Sequence, residues 1–330
     1  MILLTLTFLL IFGNTAVKAQ HIETLQSGRG VSLRGLSVVD DKVVWVSGSK
    51  GTVARSTDGG RHWDWMLVPG YETRDFRDIE GFDENTAVII AIAEPAHILR
   101  TTDGGKSWKL VYENNAKGMF LDAMDFSGNQ SGIVVGDVTG GHLFIARTSD
   151  GGLTWRESIE PYTSADSTEG CFASSGTNIR LNSKGDYFFV TGGRKSRVIS
   201  PRAAVALPFD NSKSSTGANS IAVSTNGRLI VVGGDFASDT LRSRNCFVSV
   251  DNGQTWMACS QSPRGYRSCV EFLSPKQVIT CGLNGVDISD DAGLTWRPIS
   301  ADSYHVCRKA KQGSAVFLSG NNGQIGKLVP

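Results

Sequence analysis

The chain has 330 residues, 40% of them hydrophobic and 20% charged, with a formal net charge of +1. That is an ordinary globular balance, long enough for a large core. Near-neutrality argues against a general nucleic-acid-binding surface, which needs an excess of basic residues.

The first segment reads as a signal peptide over residues 1–19. Ile2 to Phe12 form an apolar run, and Ala16-Val17-Lys18-Ala19 offers small residues for cleavage near Ala19-Gln20. No Lys or Arg precedes the run. A buried strand or a membrane anchor competes with this reading, but the run is shorter than the ~20 apolar residues a span needs. No Cys lies near the cleavage point, which argues against a lipoprotein, and no later segment reads as transmembrane. The expected product is a secreted or periplasmic monomer, one domain over residues 20–330, without membrane insertion. Lys18 is the sole charged residue of the leader, so the remainder carries equal numbers of acidic and basic residues.

A motif then recurs along the chain. It is Ser56-Thr57-Asp58-Gly59-Gly60-Arg61-His62-Trp63, and it returns at Thr101 to Trp108, Thr148 to Trp155, Ser249 to Trp256 and Ser289 to Trp296. Its aspartates are Asp58, Asp103, Asp150, Asp251 and Asp291. Their spacings are 45, 47, 101 and 40 residues. The long gap holds a degenerate copy at Val198-Ile199-Ser200-Pro201-Arg202. A Gly turn lies upstream of several copies, as in Val46-Ser47-Gly48-Ser49-Lys50-Gly51, and it recurs at Cys281-Gly282-Leu283-Asn284-Gly285 and Ser319-Gly320-Asn321-Asn322-Gly323. Short β-branched runs such as Val43-Val44-Trp45-Val46 supply strands.

Four strands per 40–45 residues is a propeller period. The expected fold is all-β, a seven-bladed β-propeller of four-stranded blades. The blades fall near 30–68, 72–113, 118–160, 168–210, 215–260, 264–300 and 303–329. The seventh lacks a fourth strand, and Ile22-Glu23-Thr24-Leu25-Gln26 is expected to supply it, closing the ring and removing an open edge.

The Asp motif is expected to be structural. Its Asp closes an Asx-type turn on backbone N–H groups two or three residues on. Its fifth-position Gly tolerates positive φ. The rings of Trp63, Trp108, Trp155, Trp256 and Trp296 are expected to wedge into the core, each burying ~150–250 Å². One carboxylate per copy makes a poor cation cage. This motif is the Asp-box of bacterial-neuraminidase-type repeats. Together with the Gly turn, it makes residues 30–329 resemble the photosystem II stability/assembly factor family and its exported bacterial relatives. The resemblance implies a non-catalytic propeller that binds a partner protein during assembly of a membrane complex. Blades four and seven depart from the pattern, and nothing in the chain points to photosynthesis. No Gly-x-Gly-x-x-Gly cofactor signature appears, so no cofactor is expected. The histidines show no metal-ligand spacing, and no metal is expected.

With the motif assigned to scaffold, function falls to the first strand of each blade, which lines the channel. Aligning Leu33-Arg34-Gly35, Phe76-Arg77-Asp78 and Tyr266-Arg267-Ser268 places Arg34, Arg77 and Arg267 together. Asp122 aligns with Asp78, His305 with the arginines, and Glu169 precedes the strand of blade four. These residues are expected to ring the channel mouth. They suit an anionic group or the C-terminus of a protein or peptide partner, because Arg recognises carboxylates bidentately. A channel whose charges pair with each other is the competing reading. The rival function is glycan-directed, a binder or a sialidase-like hydrolase using Arg34, Arg77 and Arg267 with Tyr266 or Tyr304, or Asp78 with Glu80 as paired carboxylates. The Arg-Ile-Pro segment of sialidases is absent.

Six cysteines leave several pairings open. Cys246 with Cys259, and Cys269 with Cys281, each flank a hairpin. Both are candidate disulfides, against a reading of six buried free thiols.

Overall fold

The computed structural model describes residues 20–182 and 185–330; the expected leader, residues 1–19, lies outside the described residues. Among the described residues thirty strands follow in chain order. β1 is His21–Gln26. Blade one holds β2 (Leu33–Val38), β3 (Val44–Gly48), β4 (Thr52–Ser56) and β5 (Asp64–Leu67). Blade two holds β6 (Phe76–Gly81), β7 (Ala87–Ala91), β8 (Ala96–Thr101) and β9 (Lys109–Asn114). Blade three holds β10 (Leu121–Ser127), β11 (Ser131–Thr139), β12 (His142–Thr148) and β13 (Arg156–Glu157).

Next come β14 (Glu169–Gly170), β15 (Ile179–Leu181), β16 (Tyr187–Val190), β17 (Gly192–Gly193), β18 (Arg197–Ile199) and β19 (Ala204–Ala206). Blade four is β15-β16-β18-β19. Blade five is β20 (Thr216–Val223), β21 (Leu229–Asp235), β22 (Cys246–Ser249) and β23 (Met257–Ala258). Blade six is β24 (Cys269–Phe272), β25 (Val278–Gly282), β26 (Gly285–Ser289) and β27 (Arg297–Ser300). Blade seven is β28 (Val306–Lys309), β29 (Val316–Ser319) and β30 (Ile325–Val329), completed by β1. The first strands β2, β6, β10, β15, β20, β24 and β28 neighbour one another around a closed ring.

The expected seven-bladed propeller and its closure are therefore present. β1 pairs antiparallel with β30, His21 opposite Val329 and Thr24 opposite Gly326. Its burial is one-sided. Ile22 is buried, and Leu25 packs against the cluster that joins blades six, seven and one. The inner strands are buried on both faces, as in β3 and β7, because each blade is sandwiched between two others. That is why they read as continuous apolar runs. Six apolar clusters fill the seams between blades.

Blade four departs in a way its missing motif only hinted at. β14 and β17 leave it and join the sheet of blade five, Glu169 opposite Gly193 and Gly192 opposite Gly217. That sheet therefore has six strands rather than four. Gly217, at φ 131°, lies so close to the Gly192 backbone that a Cβ there would meet it at 2.6 Å.

The Asp motif is a self-contained turn. Asp150 Oδ1 accepts hydrogen bonds from the N–H groups of Leu153 and Thr154 and from the Thr148 hydroxyl, and Oδ2 accepts from the Thr154 hydroxyl. Asp251 and Asp291 repeat the pattern. The backbone donors stand three and four residues on, not two or three, because two successive residues at positive φ, such as Gly151-Gly152 or Asn252-Gly253, widen the turn. The fifth-position Gly of each motif packs on the preceding blade: a Cβ on Gly60 would meet Phe317, and one on Gly293 would meet Ile230. The motif thus closes each seam from outside. Trp155 and Trp296 are buried, whereas Trp63, Trp108 and Trp256 are half-buried, since their rings cap the seams instead of entering them.

These turns set an acid limit on stability. Hydrogen bonds from each turn hold Asp103, Asp150 and Asp251 down at about 2. A depressed carboxylate contributes stability that is present above its unfolded value and is lost as pH falls through its folded one. Melting temperature is expected to fall between pH 4 and pH 2. Asp251→Asn should lose less over that interval than the unsubstituted protein, and an equal loss in both would remove the motif as the cause.

Cys246 and Cys259 are joined, their Cα atoms 6.0 Å apart. Cys269 and Cys281 stand opposite each other in the ladder, as expected, yet both remain free.

Candidate functional site

A strand alternates its side chains, so one extra residue decides which face the next one takes. The first strands of several blades carry such a bulge near their start. The register shifts fall between Leu33 and Gly35, Phe76 and Asp78, Leu121 and Ala123, and Ala218 and Ser220. The extra residues are Arg34, Arg77, Asp122 and Asn219. In blade seven the same place belongs to His305, whose N–H donates to the Ser319 carbonyl just before Val306 pairs with Ser319.

Arg34, Arg77, Asp122 and His305 consequently converge on one cavity of about 350 Å³. Its remaining wall comes from the Cys171–Ser174 segment, from the aromatic rings of Phe120, Phe172, Phe236 and Tyr266, and from Asp137 and Ser268. Phe172 meets Phe236 edge-on at 5.6 Å, and Phe236 meets Tyr266 at 6.3 Å.

The cavity is electrostatically divided. Arg34 donates to the Ser174 carbonyl at 3.0 Å, and Arg77 touches Asp75 at 3.4 Å. The buried Arg77 Nε has no acceptor. Burial and the neighbouring Arg77 both lower the pKa of Arg34. His305 is pushed down to about 4, first by burial and then by Arg34, so it is neutral at neutral pH. Its Nε2 stands 2.9 Å from Asn321 Oδ1 and 3.2 Å from Ser32 Oγ. Opposite, burial and repulsion from Asp137 raise Asp122 well above the usual carboxylate range, and Asp137 is raised too. A carboxyl raised that way is biased toward its neutral form. Asp122 and Asp137 are therefore weak counter-ions for the arginines, and Asp75 is the acid that pairs with Arg77.

Three of the expected ring residues lie elsewhere. Arg267 is one position out of register. A Cβ on Gly282 would meet the Tyr266 carbonyl and Arg267 Cα, just as one on Gly48 would meet the Ser32 carbonyl and Leu33 Cα. Arg267 thus matches Leu33 rather than Arg34, and Ser268 takes the cavity position. Arg267 is wholly buried, with Nε 2.9 Å from Asp287 Oδ2 and Nη1 2.6 Å from Asn284 Oδ1. Glu169 is also buried. It holds Arg197 in a fork, Nε to Oε1 at 2.7 Å and Nη2 to Oε2 at 2.9 Å, and accepts from the Thr191 hydroxyl. It faces the seam because β14 joins blade five.

Asp78 lies in a separate layer of the channel, accepting from the N–H groups of Ile79 and Met124. Burial pushes it up to about 8. That layer carries its own network, in which Glu271 binds Arg180 at 3.2 Å and Arg308 at 3.5 Å, while Lys311 pairs with Glu80. With Arg267 buried on Asp287, the arginine triad of the rival reading is not assembled, and Glu80, the partner that reading gave Asp78, is paired with Lys311. Asp137, Ser268, Asn219 and Arg308 were not singled out by sequence. Counting along each blade from its hairpin Gly is the signal that places Ser268.

The family described as photosynthesis system II assembly factor YCF48 matches residues 16–298. A solved structure of YCF48 bound to D1 peptide is similar at 19% identity and a TM-score of 0.67, covering 94% of this chain and 97% of that one. YCF48 from Cyanidioschyzon merolae is similar at 18% identity and 0.67, covering 94% and 99%. The GH74 xyloglucanase from Xanthomonas campestris shares the fold at 11% identity and 0.61; 93% of this chain is covered, and 53% of the xyloglucanase. No curated protein matches the chain.

Proposed function

The chain belongs to the photosynthesis system II assembly factor YCF48 family, and from that premise we propose that it is an exported, non-catalytic propeller whose cavity captures the carboxylate end of a peptide or protein partner. One observation carries this reading. Two adjacent guanidiniums, Arg34 and Arg77, line an aromatic-walled cavity. A terminal carboxylate is an anion that guanidiniums bind through paired hydrogen bonds, and the rings of Phe172, Phe236 and Tyr266 suit an apolar side chain beside it. The binding of D1 peptide by a solved structure of the same fold supports a peptide ligand. We take the partner to be a component of an envelope complex under assembly, met in a secreted or periplasmic setting by a monomeric protein.

The test is capture from an envelope fraction, followed by titration of the captured partner's C-terminal peptide. Arg34→Ala with Arg77→Ala is expected to weaken binding at least 10-fold, since a hydrogen bond to a charged group contributes roughly 1.5–3 kcal/mol. The melting temperature should stay within a few degrees. A carboxamide-terminated peptide should bind as weakly to the unsubstituted protein. Equal binding of the two peptides would defeat the carboxylate reading.

A further inference from the structure

Four cysteines are free among the described residues, and three of them meet at one point. Cys269 on β24 and Cys281 on β25 are ladder partners within blade six. Cys307 on β28 reaches them from blade seven. Their three sulfurs lie within 4.8 Å of one another, and Cys307 Sγ is 3.6 Å from Cys269 Sγ. All three residues are fully buried.

We propose that Cys269, Cys281 and Cys307 form a three-thiolate site for copper(I), clasping the seam between blades six and seven. A metal–sulfur bond of about 2.3 Å at the centre of a thiolate triangle needs edges of about 4.0 Å. The 3.6 Å edge and the 4.8 Å upper bound on the others accommodate that size. A disulfide would need about 2.05 Å between two sulfurs and would strand the third. Zinc would require a fourth ligand, and among the described residues no His, Asp or Glu joins the set. Thiolates select soft copper(I), which is content with three sulfurs. Loading exchanges protons for metal: each thiol that binds releases its S–H proton, no electron is transferred, and the oxidation state of copper is unchanged. Access comes when the seam opens, since the site has no exposed face.

The experiment titrates the purified full chain, anaerobically, with copper(I) held by bicinchoninate as the competing probe. One equivalent is expected to transfer, with ultraviolet thiolate-to-copper absorption and a melting temperature raised by several degrees. Cys307→Ser and Cys281→Ala should each weaken uptake at least 100-fold. Cys171→Ser, which removes the fourth free thiol, should not. The alanine variant keeps the test decisive if the serine variant fails to fold. Absence of uptake, full uptake by Cys281→Ala, tighter binding of zinc(II) than copper(I), or thiol counting that finds a disulfide within the trio would each overturn the proposal.

Discussion

Deletion of residues 20–28 is expected to lower the melting temperature by on the order of 10 °C. Three losses add. The ladder between β1 and β30 runs from His21–Val329 to Gln26–Ile325, and each of its hydrogen bonds contributes about 0.5–1.5 kcal/mol net. Ile22 is buried, and exposing such a side chain costs roughly 1.5–3 kcal/mol. Leu25 also stops supporting Gly60, so the first Asp motif loses one of its neighbours. A total near 5 kcal/mol converts at about 1.5 °C per kcal/mol in a domain of this size, whose unfolding entropy is about 2.1 cal/mol/K per residue. The deletion also bares β30 as an edge strand, which invites association between chains. Calorimetry reads the first effect and light scattering the second. A variant that melts with the full-length protein would show that the ring closes without β1.

Arg267 is where the second large effect is expected. Arg267→Ala leaves Asp287 buried without its main partner, and breaking such a pair costs about 3–5 kcal/mol. Folded Arg267→Ala should still bind the carboxylate peptide, because Arg267 does not line the cavity. Replacing the pair together, Arg267→Met with Asp287→Leu, should recover most of the stability, since apolar groups of similar size often match a buried ion pair. Denaturant melts and peptide titration read the two quantities separately. Unchanged stability with lost binding would return Arg267 to the ring of ligand-facing residues.

The contrast between Arg267 and Arg34 shows what was legible in the sequence. Blade period, strand count and closure by residues 22–26 could be read, because they rest on repeated turns and on alternation over whole strands. The Asp motif was readable for the same reason, its five copies each closing on local atoms. Register at the bulge was not. Tyr266-Arg267-Ser268 looks like Phe76-Arg77-Asp78, but the N–H of Ser268, not of Arg267, donates to the Cys281 carbonyl next to the Cys269–Cys281 pair. One residue of offset turned a cavity arginine into a core arginine. Leu33 to Gly48 and Arg267 to Gly282 span equal lengths of chain, so the information was present in the spacing to the hairpin Gly. The departure of Glu169 was less accessible. It depends on two-residue strands, β14 and β17, too short to show any period. Cys307 was missed because its partners sit in another blade, and nothing local marks a contact across a seam.

The pairing of β1 with β30 also orders events in time. His21–Gln26 is synthesised before every other described strand, yet its partner, Ile325–Val329, is synthesised after all of them. The earliest strand therefore has no place to dock until β30 has been made. Blades one to six, whose ladders are each local in sequence, can assemble during synthesis, while the seventh is a contact of the longest range and the slowest class. Until it forms, the chain is an open crescent with one unsatisfied edge, and it is in that interval that the protein is most exposed to capture by its own kind.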